Sequence, residues 1–288
     1  MKLYTIETGF FKLDGGAMFG VVPKTIWQKI NPADQNNLCD WAMRSLLIED
    51  GKKLILIDNG IGDKQDKKFF SHYYLHGNDS LESSLAKHGV HRDDITDVFL
   101  THLHFDHCGG SVIRQGDQLV PAFKNAIYWS NEEHWNWAVY PNDREKASFL
   151  KENILPIEQS GQLKFVNKPA ATQKGKLPSA SFTENISIRF VDGHTQAMML
   201  PQINVDGKTL VYMADLLPSA GHIPLPYVMA YDMFPLTTLH EKKSFLEEAV
   251  ANNYTLFFEH DPKSECCDLQ KTDRGIRARS EFRLSDRW

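Results

Sequence analysis

Apolar positions along the chain either alternate with polar ones or run together in short stretches bounded by turn residues, a pattern that predicts many strands and few long helices. Residues 43–49 and 53–58 flank Asp50-Gly51, a pair suited to a tight hairpin turn, so a strand, a turn and a second strand are expected. Asp79 with Glu82 predicts a capping box, then a short helix whose buried stripe is Leu81, Leu85 and Ala86 and which stops near Gly89. A strand over 97–101 follows. Ser130 with Glu133 predicts a second helix start, rich in tryptophan (Trp135, Trp137), and further helical sequence is expected over 144–154.

The second half repeats this style. Strands are expected over 186–192 and 198–205, with a turn at Asp206-Gly207 and a returning strand over 208–214. Thr238 and Glu241 predict a helix start, with Leu239, Leu246, Ala249 and Val250 on one face. A strand over 254–258 delivers Glu259-His260-Asp261, and 281–284 hints at a last one. Residues 168–178, rich in lysine and proline, read as a loop joining the halves. Strands then helices, twice over, predict two sheets packed face to face with helices outside.

Composition narrows the class. With 288 residues, 42% of them hydrophobic, and no low-complexity stretch, one domain over 1–288 is the simpler expectation. A net charge of −5 offers no basic field for nucleic acid or an anionic membrane. The amino-terminal residues carry Glu7, Lys12 and Asp14 where a signal peptide would be apolar, and no run of about eighteen uncharged apolar residues occurs. Four cysteines, Cys39, Cys108, Cys266 and Cys267, are too few for a disulfide framework. The expectation is a soluble cytoplasmic protein.

The chemistry concentrates in residues 101–110, THLHFDHCGG, where His102, His104, Asp106 and His107 follow the apolar run Val98-Phe99-Leu100. Alternation puts His102 and His104 on one side of an extended segment, and Asp106 and His107 turn toward a second ion beside the first. A dinuclear site needs donors converging from several strand ends, and three more residues stand just beyond expected strands: His194, Asp215 and His260. The carboxylate of Asp215 has two oxygens with which to bridge two cations. Cys108 reads as a small buried residue beside Gly109 and Gly110, and His72, His76, His88, His91, His134 and His240 as surface residues.

HxHxDH followed by a distant His, an Asp and a last His resembles the metallo-β-lactamase superfamily over residues 46–261. The run 14–24, DGGAMFGVVPK, is similar to its YtnP-type acyl-homoserine-lactone lactonase homologues. The resemblance implies an α+β fold, an αβ/βα four-layer sandwich of two mixed sheets. It implies that His102, His104 and His194 hold one divalent ion and Asp106, His107 and His260 the other, with Asp215 bridging and Asp58 supporting from behind. Zinc is the default for imidazole and carboxylate donors, and iron, manganese and cobalt accept the same set. No cysteine stands at the bridging position, which disfavours antibiotic hydrolysis.

A metal pair of this kind activates water toward an ester-like bond. The expected enzyme is a metal-dependent hydrolase that opens a lactone, in the quorum-quenching manner of the resembled branch, or cleaves a related carboxyl ester. Asp106 would carry a proton to the departing oxygen and His222 would donate to substrate. Met18, Phe19 and Trp27, in an apolar and loop-like amino-terminal region, and Phe105 would wall the pocket, or the first three would pack a satellite core or a homodimer interface. Pro218 stands three residues after the bridging aspartate, where well-known lactonases carry a substrate-contacting tyrosine. A phosphotriesterase on the same scaffold is the alternative, and a catalytically silent metal-binding sensor is the third reading. A glyoxalase-II-like thioesterase lacks its basic carboxy-terminal helical region here, and a nuclease is disfavoured by charge.

Overall fold

The computed structural model describes residues 1–170 and 176–288, so part of the expected 168–178 linker lies outside the described residues. The chain forms two units: residues 1–10 and 43–167 with Trp288 make the first, residues 11–42 and 168–287 the second.

Most strands of the first unit belong to a six-stranded mixed sheet. β1 (Lys2–Asp14) and β2 (Leu38–Asp50) each continue into residues of the second unit. β2 pairs antiparallel with β3 (Lys53–Ile57), and Asp50 faces Lys53, so the turn is Gly51-Lys52, one residue later than expected. Gly51, at φ 63°, supplies the positive φ that such a turn needs at its first position. β4 (Asp97–Phe99) lies parallel to β3. After a small separate hairpin, β5 (Val112–Gln115) and β6 (Gln118–Pro121), the sheet resumes with β7 (Ile127–Ser130) and β8 (Leu163–Phe165), in the order β1-β2-β3-β4-β7-β8. Leu47, Leu56, Val98, Tyr128, Trp135, Ile154 and Ile157 make its buried core, and burying one such side chain contributes about 1.5–3 kcal/mol.

Helix boundaries moved where local side-chain bonds compete. The helix Leu81–Lys87 is capped by Ser80 and Ser83, not Asp79 and Glu82, and buries Ser84 and Leu85 while Ala86 stays exposed. Asn131, not Ser130, caps Glu132–Val139. Helix is absent over 144–148, because Asn142 Oδ1 accepts from the backbone N–H groups of Arg144 (2.9 Å) and Glu145 (3.1 Å) and holds a turn; the helix is Lys151–Gln159.

In the second unit, β9 (Ser179–Ser181), β10 (Ile186–Val191), β11 (Met198–Val205), β12 (Lys208–Tyr212), β13 (Thr255–Phe257), β14 (Cys266–Thr272) and β15 (Gly275–Phe282) lie side by side in that order. Asp206 and Gly207 both have positive φ between the paired Val205 and Lys208, the hairpin expected there. β12 and β13 run parallel, joined through the helix Pro235–Ala251. That helix starts three residues before the expected cap, with proline in its first turn. Thr238 and Glu241 lie buried inside it, and Leu239 is exposed where a buried position was expected. Residues 15–19 and 24–27 form two short helices rather than a loop. No helix of the described residues is long and apolar enough to cross a membrane.

Candidate metal centre

Parallel strands bring their carboxyl ends to the same edge, and each unit uses one such pair to gather donors. In the first unit, Asp58 directly follows β3 and His102 stands three residues beyond β4; the Asp58 N–H donates to the Phe99 carbonyl at 2.9 Å. Asp58 is fully buried at φ 54°, and its carboxylate accepts from the Thr101 N–H (2.8 Å) and the Thr101 hydroxyl (2.6 Å). In the second unit the register Tyr212↔Phe257 sets Asp215 and His260 three residues beyond paired positions.

Tautomers follow from the partners. The Thr101 hydroxyl is spent on Asp58, so His102 Nδ1, 3.0 Å from Thr101 Oγ1, carries the proton and His102 Nε2 presents a lone pair. His104 Nε2 lies 3.0 Å from Glu145 Oε1, donates there, and leaves the lone pair on Nδ1. These two lone-pair nitrogens stand 3.1 Å apart, a repulsive arrangement unless a cation lies against both. His107 donates from Nδ1 to Asp58 Oδ2 (3.2 Å), and its Nε2 is 3.9 Å from Asp106 Oδ2.

The second unit repeats this logic. His260 Nδ1 donates to the Ala42 carbonyl (2.8 Å) and His194 Nδ1 to Asp232 Oδ1 (2.8 Å). Their Nε2 atoms face the two oxygens of Asp215, at 3.2 Å from Oδ1 and 3.1 Å from Oδ2. Burial alone would lower the basicity of His194, but the carboxylates of Asp215 and Asp232 prevail and raise it to about 10. Without metal His194 therefore carries a proton on Nε2 as well, shared with Asp215, and a bound cation would take the place of that proton. All five imidazoles thus have one nitrogen anchored by an acceptor, the arrangement that orients metal-binding histidines, and the donor clusters are able to bind metal ions.

The family comparison bears directly on this donor set. The profile of the metallo-β-lactamase superfamily matches residues 44–260. The chain belongs to that superfamily. Its fold is the metallo-β-lactamase fold, α+β with mixed sheets and helices, as the sequence resemblance implied. A probable metal-dependent hydrolase from Staphylococcus aureus is similar over 98% of this chain and 96% of its own, with 26% identity and a TM-score of 0.86. The dizinc quorum-quenching lactonase AidC, solved with an N-hexanoyl-L-homoserine product, covers 98% and 95% at 22% identity and a TM-score of 0.79. A hydrolase of the β-lactamase superfamily, AbOPH, covers 98% and 94% at 21% identity and a TM-score of 0.76. No curated protein matches the chain by sequence.

The metallo-β-lactamase scaffold holds its donors with residues that the motif did not reveal. His134, expected at the surface, is fully buried and accepts the Leu103 N–H on Nε2 (2.9 Å), fixing the backbone between His102 and His104. Glu145, which orients His104, also accepts from Trp137 Nε1 (2.6 Å) and Asn142 Nδ2 (3.2 Å). Glu241 accepts the Asp192 and Gly193 N–H groups at 2.7 and 3.0 Å and so shapes the loop before His194. Nothing in the sequence marked Glu145, His134 read as a surface residue and Glu241 as a helix-start signal, because each acts on a group far away along the chain. The other five histidines read as surface residues are exposed.

The remaining expected site residues fall in two places. Phe105, 7% exposed, packs its ring against Tyr73 (4.7 Å between centroids) and Phe69 (5.3 Å). Burial pushes the Tyr73 phenol up to about 12, with the charge of Asp106 adding to the rise. Met18, Phe19 and Trp27 are buried: Phe19 stacks on Trp27 (5.5 Å) and on His222 (4.7 Å, 3° between planes). His222 has its Nε2 2.9 Å from the Met18 carbonyl and its Nδ1 2.8 Å from Ser219 Oγ, and burial pushes it down to about 3. It is a neutral ring with both nitrogens engaged by protein, which ties the 14–24 segment to the loop after Asp215. Cys108 is buried as expected, its Sγ 3.3 Å from the Leu103 carbonyl.

Proposed function

We propose that the protein, a metal-dependent hydrolase of this superfamily, opens a lactone ring of the acyl-homoserine-lactone kind or cleaves a related carboxyl ester. The observation that carries the reading is the set of five imidazoles, each anchored through one nitrogen and turning the other toward a second imidazole nitrogen or a carboxylate. In this reading His102, His104 and His194 would hold one divalent ion, Asp106, His107 and His260 would hold the other, and Asp215 would serve both. Zinc suits these donors, and iron, manganese and cobalt remain candidates for the same set. When bound, such a metal pair makes water acidic enough to supply hydroxide near neutral pH and polarises the scissile carbonyl.

The chain's own residues do the rest. Asp58, Glu145, Asp232 and the Ala42 carbonyl keep the imidazoles in one tautomer, so no reorganisation accompanies the reaction. Asp106 passes a proton to the ring oxygen as it leaves. Phe105, backed by Tyr73 and Phe69, forms an apolar wall for the substrate. His222, neutral and engaged, positions the loop after Asp215 and does not itself move a proton. The lactone reading draws support from structures of this fold solved with N-hexanoyl-L-homoserine, over 98% and 91% of this chain. The test is metal-reconstituted protein assayed against acyl-homoserine lactones of several chain lengths, simple lactones and an aryl phosphotriester. Lactone hydrolysis above the rate of free metal is expected; activity on the triester alone would sink the reading.

A further inference from the structure

A cavity of about 610 Å³ lies in the second unit between the helix Pro235–Ala251 and the β14–β15 hairpin. Its apolar lining comes from Ile223, Leu225, Leu246 and Val250, with Ile276 opposite them. Lys243, Lys271, Arg274 and Arg277 also line it, against the single carboxylate of Glu247. In a chain with a net charge of −5 this is a local reversal of sign. Lys243, Lys271 and Arg274 form no ion pair among the described residues, and Arg277 Nη1 donates to a carbonyl, that of Ile276, at 2.7 Å. The turn that presents Arg274 is held in place: its N–H donates to Thr272 Oγ1 (3.2 Å), whose hydroxyl donates to the Gly275 carbonyl (2.7 Å).

We propose that this cavity binds an anionic amphiphile, an acyl chain ending in a carboxylate, separately from the metal donors. The volume is that of a small-molecule site, the apolar lining suits a hydrocarbon chain, and the cationic groups match one anionic head. An acidic peptide would need polar groups along the floor, where the cavity offers aliphatic side chains. The inference stands on this cavity alone and does not depend on the lactonase reading. Two sources share the chemistry, a free fatty acid and a ring-opened N-acyl amino acid.

Decanoate titrated calorimetrically into the full-length, metal-loaded protein is expected to fill one saturable site, and 1-decanol to bind at least about tenfold more weakly. The double variant Lys243→Glu/Arg274→Glu should weaken decanoate at least about tenfold while hydrolysing a reporter ester at the wild-type rate. Both side chains are exposed, so folding is not at stake. Ala251→Trp, at another exposed lining position, should block the cavity and weaken binding independently. N-decanoyl-homoserine as a third probe assigns the source by which of the two carboxylates binds more tightly. Unchanged decanoate affinity in both variants, or decanol binding as tightly as decanoate, would overturn the proposal.

Discussion

A histidine becomes a metal ligand by what its other nitrogen does, and here each of five imidazoles has that nitrogen engaged. Asp232→Asn removes the charge behind His194 while keeping the shape, and is expected to weaken metal about 10–100-fold, read by competition with a chromophoric chelator. Unchanged affinity would show that Asp232 is a bystander. Asp106→Asn is expected to abolish turnover on every substrate the wild type accepts; near-normal rates would refute the proton-carrier role. Backbone closeness matters as much as charge. A Cβ on Gly109 would stand 2.0 Å from the Ile61 carbonyl oxygen, in the contact where the Asn59 N–H donates to the His107 carbonyl. Gly109→Ala should therefore cost about 2–3 kcal/mol in denaturant melts, with activity falling alongside. The donors themselves were legible because the motif is local. Their supports were not: Glu145, Asp232 and His134 stand 41, 38 and 31 residues from the groups they hold, and no spacing rule spans such gaps.

Among elements, the helix Pro235–Ala251 shows how a correct segment can carry the wrong roles. Thr238 and Glu241 look like a cap in sequence, yet proline at the first turn starts the helix earlier, and Glu241 is used to grip the loop before His194. Beside it Lys242 is buried, donating to the carbonyls of Pro224 (3.0 Å) and Tyr227 (2.8 Å). Burial pushes its ammonium from 10.5 down to about 7, opposed by the carboxylate of Asp232. The unfolded chain then holds that proton more tightly than the folded one, so the stability withheld below pH 7 is regained as pH rises toward 10.5. Melts of wild type and Lys242→Met should show their difference moving in favour of wild type across that window; a flat difference would refute it. At the carboxy terminus, Asp268 accepts from Arg287 twice (2.6 and 2.8 Å), Arg279 (3.0 Å) and Thr255 (2.9 Å), and burial, which would make it a weaker acid, is outweighed by these partners, which hold it well below the usual carboxylate range. Asp268→Asn should cost about 1–3 kcal/mol, since the pair is only partly shielded from solvent.

For the whole molecule, the proposed ligands lie on segments far apart in sequence, so bound metal should stabilise the fold as well as enable the reaction. Chelation is expected to abolish hydrolysis and lower Tm, with added zinc, manganese, iron or cobalt restoring both; at about a hundredfold excess over Kd a metal contributes roughly 2.7 kcal/mol. Loss of activity without any thermal shift would separate the metal from the fold. The sequence by itself indicated β2 to β4, β10 to β13, the hairpin at Asp206-Gly207 and seven candidate donor positions, because alternation, turn chemistry and the placement of donors after strands are properties of neighbouring residues. Tertiary structure alone decided the tautomers, the buried role of His134, the inward packing of Met18, Phe19 and Trp27 around His222, and the cationic cavity beside the last hairpin. Each of these depends on which distant segments meet. Burial and electrostatics act through space, while a sequence pattern carries information only along the chain.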